Sequence, residues 1–135
     1  MREVEFKKVR YQDLNAKAQE MYNFQKVAAI LADYGFTCMW LNNDWQGADF
    51  IGVHADGVTD IKVQLKGRLS FAKKYVGKEI YVCFIDGSDT YLYPHDKILA
   101  IVEPKIADKV WQEKGTWSTS RLSAEFKALL APYRL

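Results

Sequence analysis

At 135 residues, 49% hydrophobic and 14% aromatic, the chain can bury a core without disulfides or a structural metal, so one domain is expected. A net charge of +2 is too small to mark a nucleic-acid binder by itself. The opening MREVEFKKVR has no apolar signal region and the longest apolar run, Val27 to Ala32, is too short to span a bilayer, which predicts a soluble, cytoplasmic protein without membrane contact.

In chain order, Leu14 to Tyr34 carries a helical stripe of apolar residues closed by Gly35. Phe36 to Leu41 reads as a strand and Asn42 to Gly47 as a loop. Two β-like runs then flank Asp56-Gly57, the signature of a type I′ hairpin. In the second run Ile61, Val63 and Leu65 alternate with Asp60, Lys62, Gln64 and Lys66, one face apolar and one polar. A basic, aromatic loop follows from Leu69 to Lys78, then strands from Ile80 and Thr90 joined at Gly87 and Ser88. His95 begins a short helix ending near Pro104, with His95 and Asp96 expected to cap it. A last helix is expected over Leu122 to Leu130, and 109–120 has no assigned element. The order implies a mixed α/β (α+β) domain on one central sheet.

Cys38 and Cys83 each lie in an apolar segment with no histidine at metal-ligand spacing, so buried, reduced thiols are expected. His54 is expected to be structural or exposed. Charge is uneven: 41–60 carries four aspartates and no Lys or Arg, and 61–80 carries Lys62, Lys66, Arg68, Lys73, Lys74 and Lys78 against Glu79. Such a pattern suits a metal site beside a polyanion groove, although solvated faces also produce it.

The hairpin supplies a register. With Asp56 and Gly57 central, Ala55 faces Val58 and Asp49 faces Gln64; a four-residue loop preserves this pairing and a three-residue loop breaks it. Opposed residues have Cβ atoms roughly 5 Å apart on one side of the sheet, and Lys66 follows on that side. A carboxylate and an amide oxygen so placed can reach one hard cation, and the lysine can orient a water or neutralise charge on a phosphate. Gln64 and Lys66 alone would be ordinary strand decoration; the matching aspartate in G-A-D-F-I-G-V gives them weight.

With Asp49 opening one strand and Q-x-K, Gln64 to Lys66, ending the next, the chain resembles the PD-(D/E)XK nuclease superfamily, including Mrr-like enzymes, Holliday-junction resolvases and some homing endonucleases. GAD stands in place of PD, and glutamine is an accepted variant at the first position of the second motif. The resemblance covers roughly Leu14 to Tyr93. It implies a restriction endonuclease-like fold, a central four- to five-stranded mixed sheet flanked by helices, and metal-dependent hydrolysis of nucleic acid, DNA foremost, by a protein that dimerises if it cuts both strands.

The resemblance further implies that Mg²⁺ or Mn²⁺ would be held by Asp49, Gln64 and the Leu65 carbonyl, with Lys66 catalytic. A further group would come from the first helix, where Gln25 has the spacing and Glu20 the chemistry. Arg68, Lys73 and Lys74 would meet the backbone of the nucleic acid. Phe71 and Tyr75 would stack on bases or join the core, and Trp45 and Gln46 would lie near the site. The competing readings are a non-catalytic nucleic-acid-binding domain and a protein-interaction domain.

Overall fold

The computed structural model describes residues 2–135. A 3₁₀ turn, Tyr11–Asp13, precedes helix α1, Ala16–Ala32. Asn15 caps α1 by accepting the Ala18 N–H, and Gly35, at φ +87°, turns the chain out of it. Phe24, Val27 and Leu31 form the buried stripe of α1. The five strands of the main sheet are β1, Phe36–Trp45; β2, Ala48–His54; β3, Asp60–Leu65; β5, Ile80–Asp86; and β6, Asp89–Pro94. They lie in the order β1-β2-β3-β5-β6, all antiparallel except the β3–β5 pair. Between β3 and β5 the chain forms β4, Leu69–Ala72, and a 3₁₀ turn at Lys73–Tyr75. Strand β4 pairs with β7, Thr116–Thr119, in a separate two-stranded sheet. Helices α2, His95–Ile106, α3, Lys109–Lys114, and α4, Ala124–Leu130, complete the chain.

The fold is thus mixed α/β with a five-stranded mixed sheet and flanking helices, and its opening sequence of helix, strand, Asp49-led strand and Gln64-to-Lys66 strand end is the order that the resemblance implies. Two apolar clusters cover its faces. Phe24, Val27 and Leu31 of α1 meet Phe50, Ile61, Val63 and Cys83 on one side; β4, α2, α3 and α4 meet Ile80, Val82, Phe84, Tyr91 and Tyr93 on the other. No helix among the described residues is long and apolar enough to cross a membrane.

Several sequence expectations need correcting. Residues 42–45 belong to β1, and the two-residue turn with both φ angles positive is at Gln46 and Gly47, +54° and +84°. The Asp56-Gly57 connection is instead a four-residue loop, Ala55 to Val58, closed by the His54 N–H donating to the Thr59 carbonyl. Only Gly57 is left-handed there, and the Asp56 carboxylate accepts the N–H groups of Val58 and Thr59, an Asx-type closure. The expected loop at 69–78 is mostly β4 and its 3₁₀ turn, and 109–120 is mostly α3 and β7. Helix α2 continues past Pro104 to Ile106. Phe71 and Tyr75, 1% and 3% exposed, are core residues that cannot wedge between bases. Cys83 is buried and Cys38 partly so, both unbridged.

His95 does not cap α2. It is fully buried; its Nε2 accepts the Ala72 N–H at 3.1 Å, its Nδ1 lies 2.8 Å from Asp96 Oδ1, and Asp96 Oδ2 accepts the Gly77 N–H. The pair ties the ends of the β4–β5 connection to α2. Half-exposed His54 accepts the Asp56 N–H in its own loop.

Candidate nuclease site

Strands β2 and β3 pair Phe50 with Val63, Ile51 with Lys62, Gly52 with Ile61 and Val53 with Asp60. The next pair in that register is Asp49 with Gln64. Phe50 and Val63 face α1, so alternation puts Asp49 and Gln64 on the opposite face, where Gln64's neighbour on β5 is the buried Val82. The ladder ends here in an unusual way. The Leu65 N–H, which points toward β2, donates to Asp49 Oδ2 at 2.9 Å, so a side-chain carboxylate replaces a backbone acceptor. The N–H and C=O of one strand residue leave on the same edge, which turns the Leu65 carbonyl toward β2 as well.

Strand β1 opens the space in front of Asp49. Trp40 pairs with Phe50 and Trp45 with Ala48, so four residues of β1, Leu41 to Asp44, stand against Asp49 alone. Such an irregularity bends its strand away from its partner. The resulting cleft, about 360 Å³, is lined by Asp49, Gln64 and Lys66, by Lys17 and Glu20 of α1, and by Trp40, Leu41, Asn42 and Asp44 of β1. Lys74, Tyr75 and Lys78 form its far wall. Burial pushes the Asp49 carboxyl above the usual range; Glu20 and Asp44 push it the same way, against the Leu65 N–H and Lys66. Lys66 Nζ lies 5.7 Å from the centre of the Tyr75 ring, and Lys74 Nζ 5.4 Å from it.

Helix geometry separates the two α1 candidates. Lys17, Glu20, Phe24, Val27 and Leu31 follow one stripe, with Glu20 at the open end of the sheet and ion-paired to Lys17 at 3.0 Å. Gln25, five residues from Glu20, is exposed on another face and does not line the cleft. The expected nucleic-acid contacts also divide. Lys74 lines the cleft, whereas Lys73 lies over the Trp111 ring and against Gly115. Arg68 lines a small hollow beside Thr119 and Ser120. The Gln46 amide accepts from Lys62 at 2.7 Å, and the same lysine lies over Trp45; neither Trp45 nor Gln46 lines the cleft.

Lys17, Trp40, Asn42, Asp44 and Lys78 were not foreseen as cleft residues. Lys17 could have been found as the residue one helical turn before Glu20; the others depend on the extent of β1 and the path of the β4–β5 connection.

The acidic and amide side chains in the cleft offer oxygen donors only, the set that a hard divalent cation takes. The crowding of Glu20 and Asp44 on Asp49 is a repulsion that a cation would relieve. Among the described residues no group of three or more His, Cys, Asp or Glu side chains is arranged to hold a metal, so the Gln64 amide, the Leu65 carbonyl and water would have to complete the set.

No family model matches the chain, and no curated protein matches it. Among solved structures it is similar to Hjc, a Holliday junction resolvase from the archaeal hyperthermophile Archaeoglobus fulgidus, solved at 1.6 Å. Identity is 14% and the TM-score 0.41, over 52% of this chain and 74% of that one. A likeness of that strength carries no weight for activity.

Proposed function

We propose that this chain is a metal-dependent endonuclease that hydrolyses phosphodiester bonds in nucleic acid, DNA foremost. The observation that carries the reading is the β2–β3 register, which sets Asp49 against Gln64 and Lys66 beyond it, in a cleft with a helix carboxylate on one side and lysines on the other. Asp49, Gln64 and the Leu65 carbonyl would hold Mg²⁺ or Mn²⁺, with Glu20 as the helix contribution. Such a cation, when bound, supplies Lewis-acid charge and lowers the pKa of a water.

The remaining work falls to the chain's own groups. The Leu65 N–H holds one oxygen of Asp49, a residue that lines the cleft, and leaves its other oxygen without that bond. Lys66, held over Tyr75, positions the attacking water or neutralises negative charge developing on the phosphate. Lys74 and Lys78 attract the strand, giving salt-dependent, sequence-independent affinity. Cutting both strands of a duplex would take two copies.

A second reading, nucleic-acid binding without cleavage, is favoured because among the described residues the cleft's three carboxylates are not arranged as a group that could hold a metal, and because Glu20 is engaged with Lys17. Incubation with supercoiled plasmid, branched DNA and RNA, with Mg²⁺ or Mn²⁺, separates the two. Cleavage that EDTA and Lys66→Ala both abolish is expected. Salt-sensitive binding with no cleavage in either metal selects the second reading, and cleavage that survives in Lys66→Ala overturns the mechanism.

A further inference from the structure

The cleft does not end at its lysine wall. Lys66, Lys74 and Tyr75 also line a second depression of about 180 Å³, whose floor is the β4–β7 ladder. That ladder pairs Ser70 with Ser118 and Ala72 with Thr116. By strand alternation these four share one face, while the buried Phe71 and its neighbour Trp117 pack against the core on the other. The outer face thus presents three hydroxyl side chains, Ser70, Thr116 and Ser118, around the buried Ala72, with two lysines at its edge.

Its charge differs from that of the cleft. In the cleft three carboxylates, Glu20, Asp44 and Asp49, stand among four lysines, Lys17, Lys66, Lys74 and Lys78, whereas the second depression is lined by two of those lysines, Lys66 and Lys74, and no Asp or Glu. A phosphodiester anion in the second depression therefore meets lysines without the opposing carboxylates of the cleft, and Ser, Thr and Lys are customary backbone-contact residues. The platform is also held rigidly. His95 Nε2 accepts the Ala72 N–H, Lys73 N–H donates to the Gly115 carbonyl, and the Tyr93 hydroxyl donates to the Ser70 carbonyl at 2.6 Å. Among the described residues the Thr116 and Ser118 hydroxyls have no hydrogen-bond partner; that of Ser70 donates to the Arg68 carbonyl.

We propose that the outer face of the β4–β7 ladder, with Lys66 and Lys74 at its edge, seats a backbone phosphate of the substrate strand next to the one in the cleft. The seat rests on the nuclease reading and extends it, giving the strand a direction: from the cleft across Lys66 and Lys74 and over β4 and β7.

Two double variants test it with opposite signs. Binding of a labelled oligonucleotide is measured in EDTA over a range of salt, and hydrolysis of bis(p-nitrophenyl) phosphate, which carries a single phosphate and so has none to place in the second seat, is measured in Mn²⁺. Thr116→Glu with Ser118→Glu is expected to weaken binding about tenfold at moderate salt, and Thr116→Lys with Ser118→Lys to tighten it and steepen the salt slope by about one to two. Hydrolysis of the small diester should stay at the wild-type rate in both. A gain in the lysine pair cannot come from misfolding. Wild-type affinity and slope in both pairs would overturn the seat while leaving the nuclease reading intact. Wild-type protein that neither binds the strand nor hydrolyses the small diester would overturn the nuclease reading and the seat with it. Displacement of the strand by inorganic phosphate at matched ionic strength, with no dependence of affinity on strand length, would overturn its assignment to a strand.

Discussion

The Leu65 N–H donates to Asp49 Oδ2 at 2.9 Å, so the carboxylate at the mouth of the cleft also terminates the β2–β3 ladder. The two roles separate by substitution. Asp49→Asn keeps an oxygen acceptor for Leu65 but loses the charge, whereas Asp49→Ala leaves the N–H without its partner at a cost of about 1–3 kcal/mol. In urea unfolding, Asp49→Asn should match or exceed wild type at neutral pH, because the ionised form is disfavoured by burial, and Asp49→Ala should be less stable. Both should lose cleavage by more than about a hundredfold. Equal stability in the two variants would show that the hydrogen bond contributes nothing.

Lys66 is expected to matter for chemistry and little for folding. Lys66→Ala should abolish cleavage with a melting temperature within a few degrees of wild type, since among the described residues the side chain meets no carboxylate at ion-pair distance and it lies over the Tyr75 ring. Calorimetry alongside the plasmid assay checks both halves of this statement.

Gln64→Glu tests whether the amide limits cation binding. A second carboxylate opposite Asp49 adds like-charge repulsion to that of Glu20 and Asp44, so melting without divalent ions should fall by a few degrees. Mn²⁺ should restore it, with a larger Mn²⁺-dependent rise than in wild type. An unchanged response to Mn²⁺ would place the cation elsewhere.

The register of the site was legible because it needs only parity. The sequence places a two-residue turn at Asp56-Gly57 where a four-residue loop forms, yet both connections leave Asp49 opposite Gln64. Helix α1 and strands β5 and β6 follow from periodicity and end within one or two residues of expectation. The far part of β1 was not legible. Asn42, Asn43 and Asp44 have the composition of a loop, and they are strand only because Gln46 and Gly47 close a tight hairpin behind them. Nor was the β4–β7 ladder, which joins segments more than forty residues apart by pairing that no local pattern announces. That ladder is also why the basic contacts scatter: it carries Lys73 toward Trp111 and Arg68 away from the cleft.

The Gln46-Gly47 turn yields a stability prediction. A Cβ on Gly47 would lie 2.8 Å from Ile80 Cδ1 and 3.1 Å from Tyr75 Cδ1, at φ +84°. The backbone conformation alone costs an L-residue about 1–2 kcal/mol, and the contacts add to it. Gly47→Ala should therefore melt several degrees lower. Because Tyr75 supports Lys66 and Lys74, its cleavage rate should fall as well.

His95 sets a pH dependence of folding. Burial holds its pKa below the ordinary histidine value although Asp96 pulls the other way. Between the lowered folded value and roughly 6.5 the unfolded chain binds more protons, so stability is full above that window and is lost as pH falls through it. Asp96 is held below its ordinary value by the His95 ring and the Gly77 N–H, outweighing its burial, and so adds a further loss at lower pH. Urea midpoints at pH 7.5, 6.0 and 5.0 should decline in wild type and decline less in His95→Gln.

The most direct test of the central claim is anomalous scattering from crystals soaked in Mn²⁺. One peak is expected at about 2.0–2.2 Å from the free Asp49 oxygen and within coordinating reach of the Gln64 amide oxygen. A saturating soak with no density between Asp49 and Gln64, in crystals of a protein that still cleaves DNA in Mn²⁺, would contradict the account.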